Sequence, residues 1–300
     1  MVLNEKVSNF DGLLDKYMGK MEQKIYKIWP KGRIGFSIPL PPGYAQGYGR
    51  QRLKIDIDIG PKGKKASRMR KREDHYFIIH INTQKEQFLD SALGVIAHEV
   101  THVSQYYNKS MKFHEEEKFK AWMSEKESGK YFGSYQDYYQ RNHDKYPTEH
   151  EAVLVNLGYG IGKGNYDDAM ITLFNAPNYL QHFDKKTLLK KLAYMGIDNK
   201  KWQRYKKHIA TWTKDAFSKE QLAASPANFI QWFNWFVHFN GMLRQIGMKT
   251  DHHKKTFKRI FYDEYEPALN FPAVARDKDF PPNWKNKADW TRVGKIISKW

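Results

Sequence analysis

The five residues His98-Glu99-Val100-Thr101-His102 constrain this chain more than any other feature, because they fall inside a run with helical periodicity. Leu89, Leu93, Ile96, Val100, Val103 and Tyr107 recur at spacings of three and four, which puts them on one stripe of a helix. Side chains four apart on a helix stack one above the other, so His98 and His102 present two imidazoles to a common point. They lie on the side opposite the apolar stripe, which separates them from ordinary core residues. Asp90 suits the positive start of this helix, and Asn108 and Lys109 suit its end.

Two histidines with an intervening glutamate, in the order His-Glu-x-x-His, form an arrangement suited to a zinc ion and its bound water. They do not complete a tetrahedral site, so a third protein ligand must come from elsewhere. The best source is the stretch at 146–154, Tyr-Pro-Thr-Glu-His-Glu-Ala-Val-Leu. Pro147 suits the first position of a helix and Gly158 its end. On that helix Glu149, Ala152, Val153 and Asn156 share a face whose small residues let a second helix come close. Glu151 lies about 200° further round. Glu149 is the preferred ligand and Glu151 its competitor; both also suit a helix N-terminus simply as acids. His143 and His150 are weaker candidates.

With those two motifs together, the chain resembles zinc metallopeptidases encoded in bacteriophage genomes and, more broadly, gluzincins, whose third ligand is a downstream glutamate. The similarity covers residues 75–158 and rests on the two motifs alone. It implies Zn2+ held by His98, His102 and Glu149, Glu99 as catalytic base, and a protein or peptide substrate. The fold it implies is α+β: a zincin-like small mixed sheet leading into the active-site helix.

Composition bounds what else the chain can be. At 40% hydrophobic and 15% aromatic residues, its 300 residues are those of a folded protein with a sizeable core. A formal net charge of +18 attracts polyanions: nucleic acid, an anionic membrane face or an acidic protein. The absence of cysteine excludes both a disulfide framework and a thiolate zinc site. No stretch is long and apolar enough to span a bilayer, and residues 1–10 lack the apolar core of a signal peptide. The expected location is therefore the cytoplasm, meaning the host cytoplasm or the virion if the chain is phage-encoded. The competing functional class is a basic nucleic-acid-binding or virion-assembly protein with an inactive or structural zincin core.

Along the chain, Phe10, Leu13, Leu14, Tyr17, Met21 and Ile25 keep helical spacing until Trp29-Pro30-Lys31-Gly32 stops them. Residues 33–40, 53–59 and 75–82 read as strands. Strict alternation in Ile55-Asp56-Ile57-Asp58-Ile59 sends the isoleucines to one face and the aspartates to a solvent-facing one. Residues 62–72, seven of eleven basic, read as an exposed, mobile loop able to meet phosphates. Tyr131, Tyr135, Tyr138, Tyr139 and Tyr146 are candidates for lining a cleft, one of them as an oxyanion donor. The glycine-rich run 158–164 lacks a preceding strand and a Gly-Lys-Ser/Thr ending, so it reads as a hinge rather than a phosphate loop. It divides the chain into a metallopeptidase domain at 1–158 and a mainly helical, basic domain at 165–300. In the latter, the dense aromatics at 229–236 read as a core helix, and the Pro- and Trp-rich segment from Asn270 as an irregular surface wrap. His252-His253 lacks a third ligand and is set aside.

Overall fold

A computed structural model describes residues 6–40, 52–63, 67–73, 75–107, 110–134, 138, 142, 146–175, 180, 182–269 and 287–300, with backbone alone at 6–16, 107, 110–116 and 175. Several sequence readings lie outside the described residues: the side chains of Phe10, Leu13, Leu14 and Tyr107, the helix end at Asn108 and Lys109, Tyr135, Tyr139, His143, and the stretch 270–286. The chain is α+β and mostly helical, and it forms two compact units, Met1–Leu180 and Gln181–Trp300.

In the first unit, α1 (Lys6–Ile28) leads through a turn into a four-stranded sheet of β1 (Gly32–Pro39), β2 (Arg52–Gly60), β3 (Arg68–Glu73) and β4 (Tyr76–Asn82). The sheet order is β1-β2-β4-β3, with β2 and β4 parallel and both outer pairs antiparallel. The alternation of β2 does what a period of two dictates. Leu53, Ile55, Ile57 and Ile59 enter a core with Phe36 and Ile38 of β1 and Phe77, Ile79 and Ile81 of β4. Met21 and Ile25 of α1 close that core, together with Ala92, Leu93, Ile96, Val100 and Val103 of α2 (Leu89–Tyr107). Each fully buried side chain of this size contributes about 1.5–3 kcal/mol.

The opposite face of β2 is polar and ion-paired. Asp56 accepts from Arg33 at 2.6 Å and from the Tyr76 hydroxyl at 2.8 Å. Asp58 meets Lys62 at 2.7 Å and His80 at 3.0 Å. Partial burial alone would raise the Asp58 carboxyl, but Lys62 and His80 hold it below the ordinary carboxylate range.

Two sequence expectations change here. The basic run is a strand over Arg68–Glu73, not a mobile loop, and it pairs antiparallel with β4, Met69 opposite Ile79. A strand needs a ladder partner more than a buried face, and cations along a sheet edge discourage pairing with other chains. Arg70, Lys71 and Arg72 are exposed as expected, while residues 64–66 lie outside the described set. The glycine-rich run is no hinge either. It is the second half of α4 (Pro147–Lys163), which follows α3 (Ser110–Glu127) and ends at Gly164 with φ 76°. Gly160 there lets α5 (Tyr166–Asn175) approach: a Cβ at this position would lie 3.1 Å from the Ala169 backbone nitrogen. The two units accordingly divide at 180, later than the glycine run suggested.

The second unit is helical. Its helices are α6 (Lys185–Tyr194), α7 (Asn199–Ala216), α8 (Lys219–Ala223), α9 (Pro226–Gln245), α10 (Asp251–Ile260), α11 (Glu266–Leu269) and α12 (Lys287–Ile297), with a π-helical turn at Phe261–Tyr265. Asp184, Asp198, Ser218 and Ser225 cap α6 to α9, each accepting a backbone N–H three residues on. Such caps stabilise by about 1 kcal/mol apiece. Phe229, Phe233, Phe236 and Phe239 of α9 are fully buried, and the Phe236 and Phe257 rings stack at 5.1 Å. His253 joins this aromatic core 5.1 Å from Phe217, and burial pushes its imidazole down to about 4. The expected irregular wrap is helical over Lys287–Ile297, because Trp290, Val293 and Ile297 make an apolar stripe that the core buries. Among the described residues no helix is long and apolar enough to cross a membrane.

Candidate metal centre

Helix α2 is covered on both sides. Its apolar stripe lies on the sheet, and the side carrying His98 and His102 meets α4 rather than solvent. The approach is close because Gly94 of α2 leaves room for Asn156 of α4, where a Cβ would collide with Asn156 Oδ1. Ala152 and Val153 are buried on α4, and Pro147 opens that helix so that Glu149 sits in its first turn.

That packing brings three donor atoms together. His98 Nε2 and His102 Nε2 are 3.1 Å apart, and Glu149 Oε2 lies 3.3 Å from His102 and 3.6 Å from His98. Zinc bonded to N and O donors at about 2.0–2.2 Å places neighbouring tetrahedral ligands about 3.3–3.6 Å apart. The triangle is therefore close to one face of such a tetrahedron. Two neutral imidazoles and a carboxylate are also the donor types that bind a divalent transition ion. Among the described residues, His98, His102 and Glu149 are the group able to hold a metal; Glu151, the competitor, is not part of it.

Charge favours a cation at this point. Burial pushes the His102 imidazole down, but its contact with Glu149 and the charges of Glu149 and Glu99 outweigh this and leave it above the usual histidine range. His102 and Glu149 are nearly inaccessible, whereas the His98 side chain keeps 17% of its surface, so the centre opens on the His98 side.

No family model matches the sequence, and neither a curated protein nor a solved structure matches the chain.

Gln105, one turn beyond His102, is among the contributors that sequence reading missed. Its Oε1 accepts from His102 Nδ1 at 2.8 Å, and its Nε2 donates to the Thr148 carbonyl at 2.9 Å. The second bond orients the amide, so Nδ1 must carry the proton and Nε2 turns its lone pair toward His98 and Glu149. A buried polar residue at i+3 from a ligand histidine, on the same helix face, was the available signal. The backbone of β3 is the other contributor. Met69 N–H donates to Glu99 Oε2 at 2.8 Å, which anchors Glu99 beside the centre without making it a ligand. Nothing in the sequence marks this bond, because it joins a backbone group to a side chain thirty residues away.

The tyrosines separate. Tyr138 donates to Glu125 at 3.0 Å and stacks edge-on with Tyr131, so its hydroxyl is committed away from the centre. Tyr146 immediately precedes α4, with the buried Lys118 ammonium 3.9 Å above its ring. Asp56 and Asp58 belong to the ion pairs on the sheet and form no metal-binding group. His150 is buried outside the cluster.

Proposed function

We propose that the chain is a zinc-dependent metallopeptidase whose first unit is zincin-like, as its resemblance to phage-encoded gluzincins suggests. The observation that carries this reading is the triangle of His98 Nε2, His102 Nε2 and Glu149 Oε2, with Glu99 held alongside it by Met69. Zinc fits the donor set, and when bound it supplies Lewis acidity that polarises a scissile carbonyl and acidifies water.

The chain's own residues do the rest. Gln105 keeps the proton of His102 on Nδ1, so its Nε2 offers a lone pair to the ion beside His98 and Glu149. Met69 N–H occupies Glu99 Oε2, which leaves Oε1 to take the proton of an attacking water and pass it to the departing amine nitrogen. The opening at His98 is the side from which a peptide reaches this pair.

The test joins metal content to hydrolysis. Protein purified without chelator should carry about one zinc per chain, and the double substitution His98→Ala, His102→Ala should abolish it. Glu99→Gln should keep the zinc and the fold while slowing cleavage of a peptide library by about 10²–10⁴. Wild-type turnover in Glu99→Gln, or zinc retained by the histidine double variant, rejects the reading.

A further inference from the structure

The positive charge of this protein is not spread evenly. The second unit, residues 181–300, holds 24 Lys and Arg against 11 Asp and Glu, a net +13 out of the chain's +18. We propose that this unit binds the phosphate backbone of nucleic acid, without reading base sequence, along the solvent face of α7. The proposal is independent of the metal centre.

Helix α7 shows how the charge is arranged. Trp202, Tyr205, Ile209 and Thr213 face the core, while Lys200, Arg204, Lys207 and Lys214 are exposed on the opposite stripe. At a rise of 1.5 Å per residue that stripe is about 21 Å long, matching about six phosphates of one duplex strand. The acidic groups of α7 and its cap stand at the two ends: Asp198 accepts from Lys201 N–H as the N-cap, and Asp215 lies in the last turn. Among the described residues none of the four cations forms an ion pair, whereas Lys219 of the same unit pairs with Glu264. The same design recurs on α10, where Lys255, Lys258 and Arg259 are exposed behind buried Phe257 and Ile260. On α12, Arg292 and Lys295 are exposed behind Trp290, Val293 and Ile297, and Lys299 is exposed just past its end.

The chemistry of these faces selects the partner. Helices that lie on membranes insert their apolar side, and here that side is consumed by the core. Protein interfaces are built around aromatic and aliphatic centres and are depleted in lysine, whereas this stripe is lysine-dominated with Gln203, Ala210 and Thr211 between the charges. Lysine meets phosphate as a point charge, which gives affinity without base discrimination. In the basic run of the first unit, Lys62 pairs with Asp58 and Lys71 meets Tyr106, which leaves a shorter exposed set at Arg70 and Arg72.

The test uses the full chain with a fluorescent 30-base-pair duplex and a single strand of equal length, titrated by anisotropy over a series of salt concentrations. Wild type should bind random sequences alike, with an affinity that falls steeply as salt rises. Substituting Lys200, Arg204, Lys207 and Lys214 together with Gln should weaken binding at least about tenfold and flatten the slope of log affinity against log salt by about 2–4. Each half of that set, Lys200 with Arg204 or Lys207 with Lys214, should give about half the flattening. Glutamine is a good helix former, and unchanged circular dichroism will report an intact α7. The substitutions Lys200→Arg, Lys207→Arg and Lys214→Arg should bind like wild type, as should Arg70→Gln with Arg72→Gln on β3. Wild-type affinity in the fourfold variant overturns the proposal. So does failure of wild type to bind either nucleic acid, or stronger binding to phosphatidylserine vesicles than to DNA at the same salt.

Discussion

Gln105 ties the two halves of the metal centre together. Its amide meets the proton on His102 of α2 and the carbonyl of Thr148 at the start of α4, so one side chain sets both the tautomer of a candidate ligand and the position of the helix that carries Glu149. Partners of this kind are worth about 10–100-fold in metal affinity, and ligands themselves more. Gln105→Leu is therefore expected to lower zinc affinity by that factor while far-ultraviolet circular dichroism stays unchanged. Glu149→Gln should lose more and Glu151→Gln essentially nothing. Competition with a chromogenic chelator measures all three, and zinc lost from Glu151→Gln but kept by Glu149→Gln would move the third ligand.

The helices of the first unit reach the centre because glycine lets them touch. Gly94 admits Asn156 between α2 and α4, and Gly160 admits the Ala169 backbone between α4 and α5. Glycine inside a helix ordinarily costs about 1 kcal/mol relative to alanine, so these positions exchange helix propensity for close packing. The two kinds of glycine should respond oppositely to substitution. Gly160→Val forces side chain into backbone and should destabilise by about 1–3 kcal/mol. Gly241→Ala, on an exposed turn of α9 with open space around its Cβ, should stabilise by up to about 1 kcal/mol. Urea denaturation of each variant reads the sign directly, and a stabilised Gly160→Val would disprove the packing role.

At the scale of the whole molecule, the two units differ in chemistry: the first holds the buried group able to bind a metal, and the second exposes rows of cations. Their unfolding can be followed apart, since seven of the nine tryptophans lie in the second unit. Metal bound to the folded first unit stabilises it by mass action, about 4 kcal/mol when free metal is a thousandfold above its Kd. Removing zinc with a chelator should thus lower one of two transitions in ellipticity, to which both units contribute, while the tryptophan-monitored transition, dominated by the second unit, moves little. Equal shifts in both signals would mean that the units unfold as one.

What the sequence determined by itself was local: the spacing of His98 and His102, the alternation of β2, the Pro147 start of α4, and the apolar stripes of α2 and α9. These follow from periods of 2 and 3.6 residues and from the missing N–H of proline, which act within a few residues. Even the unequal division of charge could be counted from the residues once the units were known. Tertiary structure alone decided the rest. It decided whether residues 68–73 found a ladder partner in β4, whether 158–164 bent or continued as helix against Ala169, and which atoms Gln105 and Glu99 met. A glycine permits both a turn and a close approach, and a charged strand permits both a loop and a sheet edge. Only the neighbours brought in from distant parts of the chain remove that degeneracy.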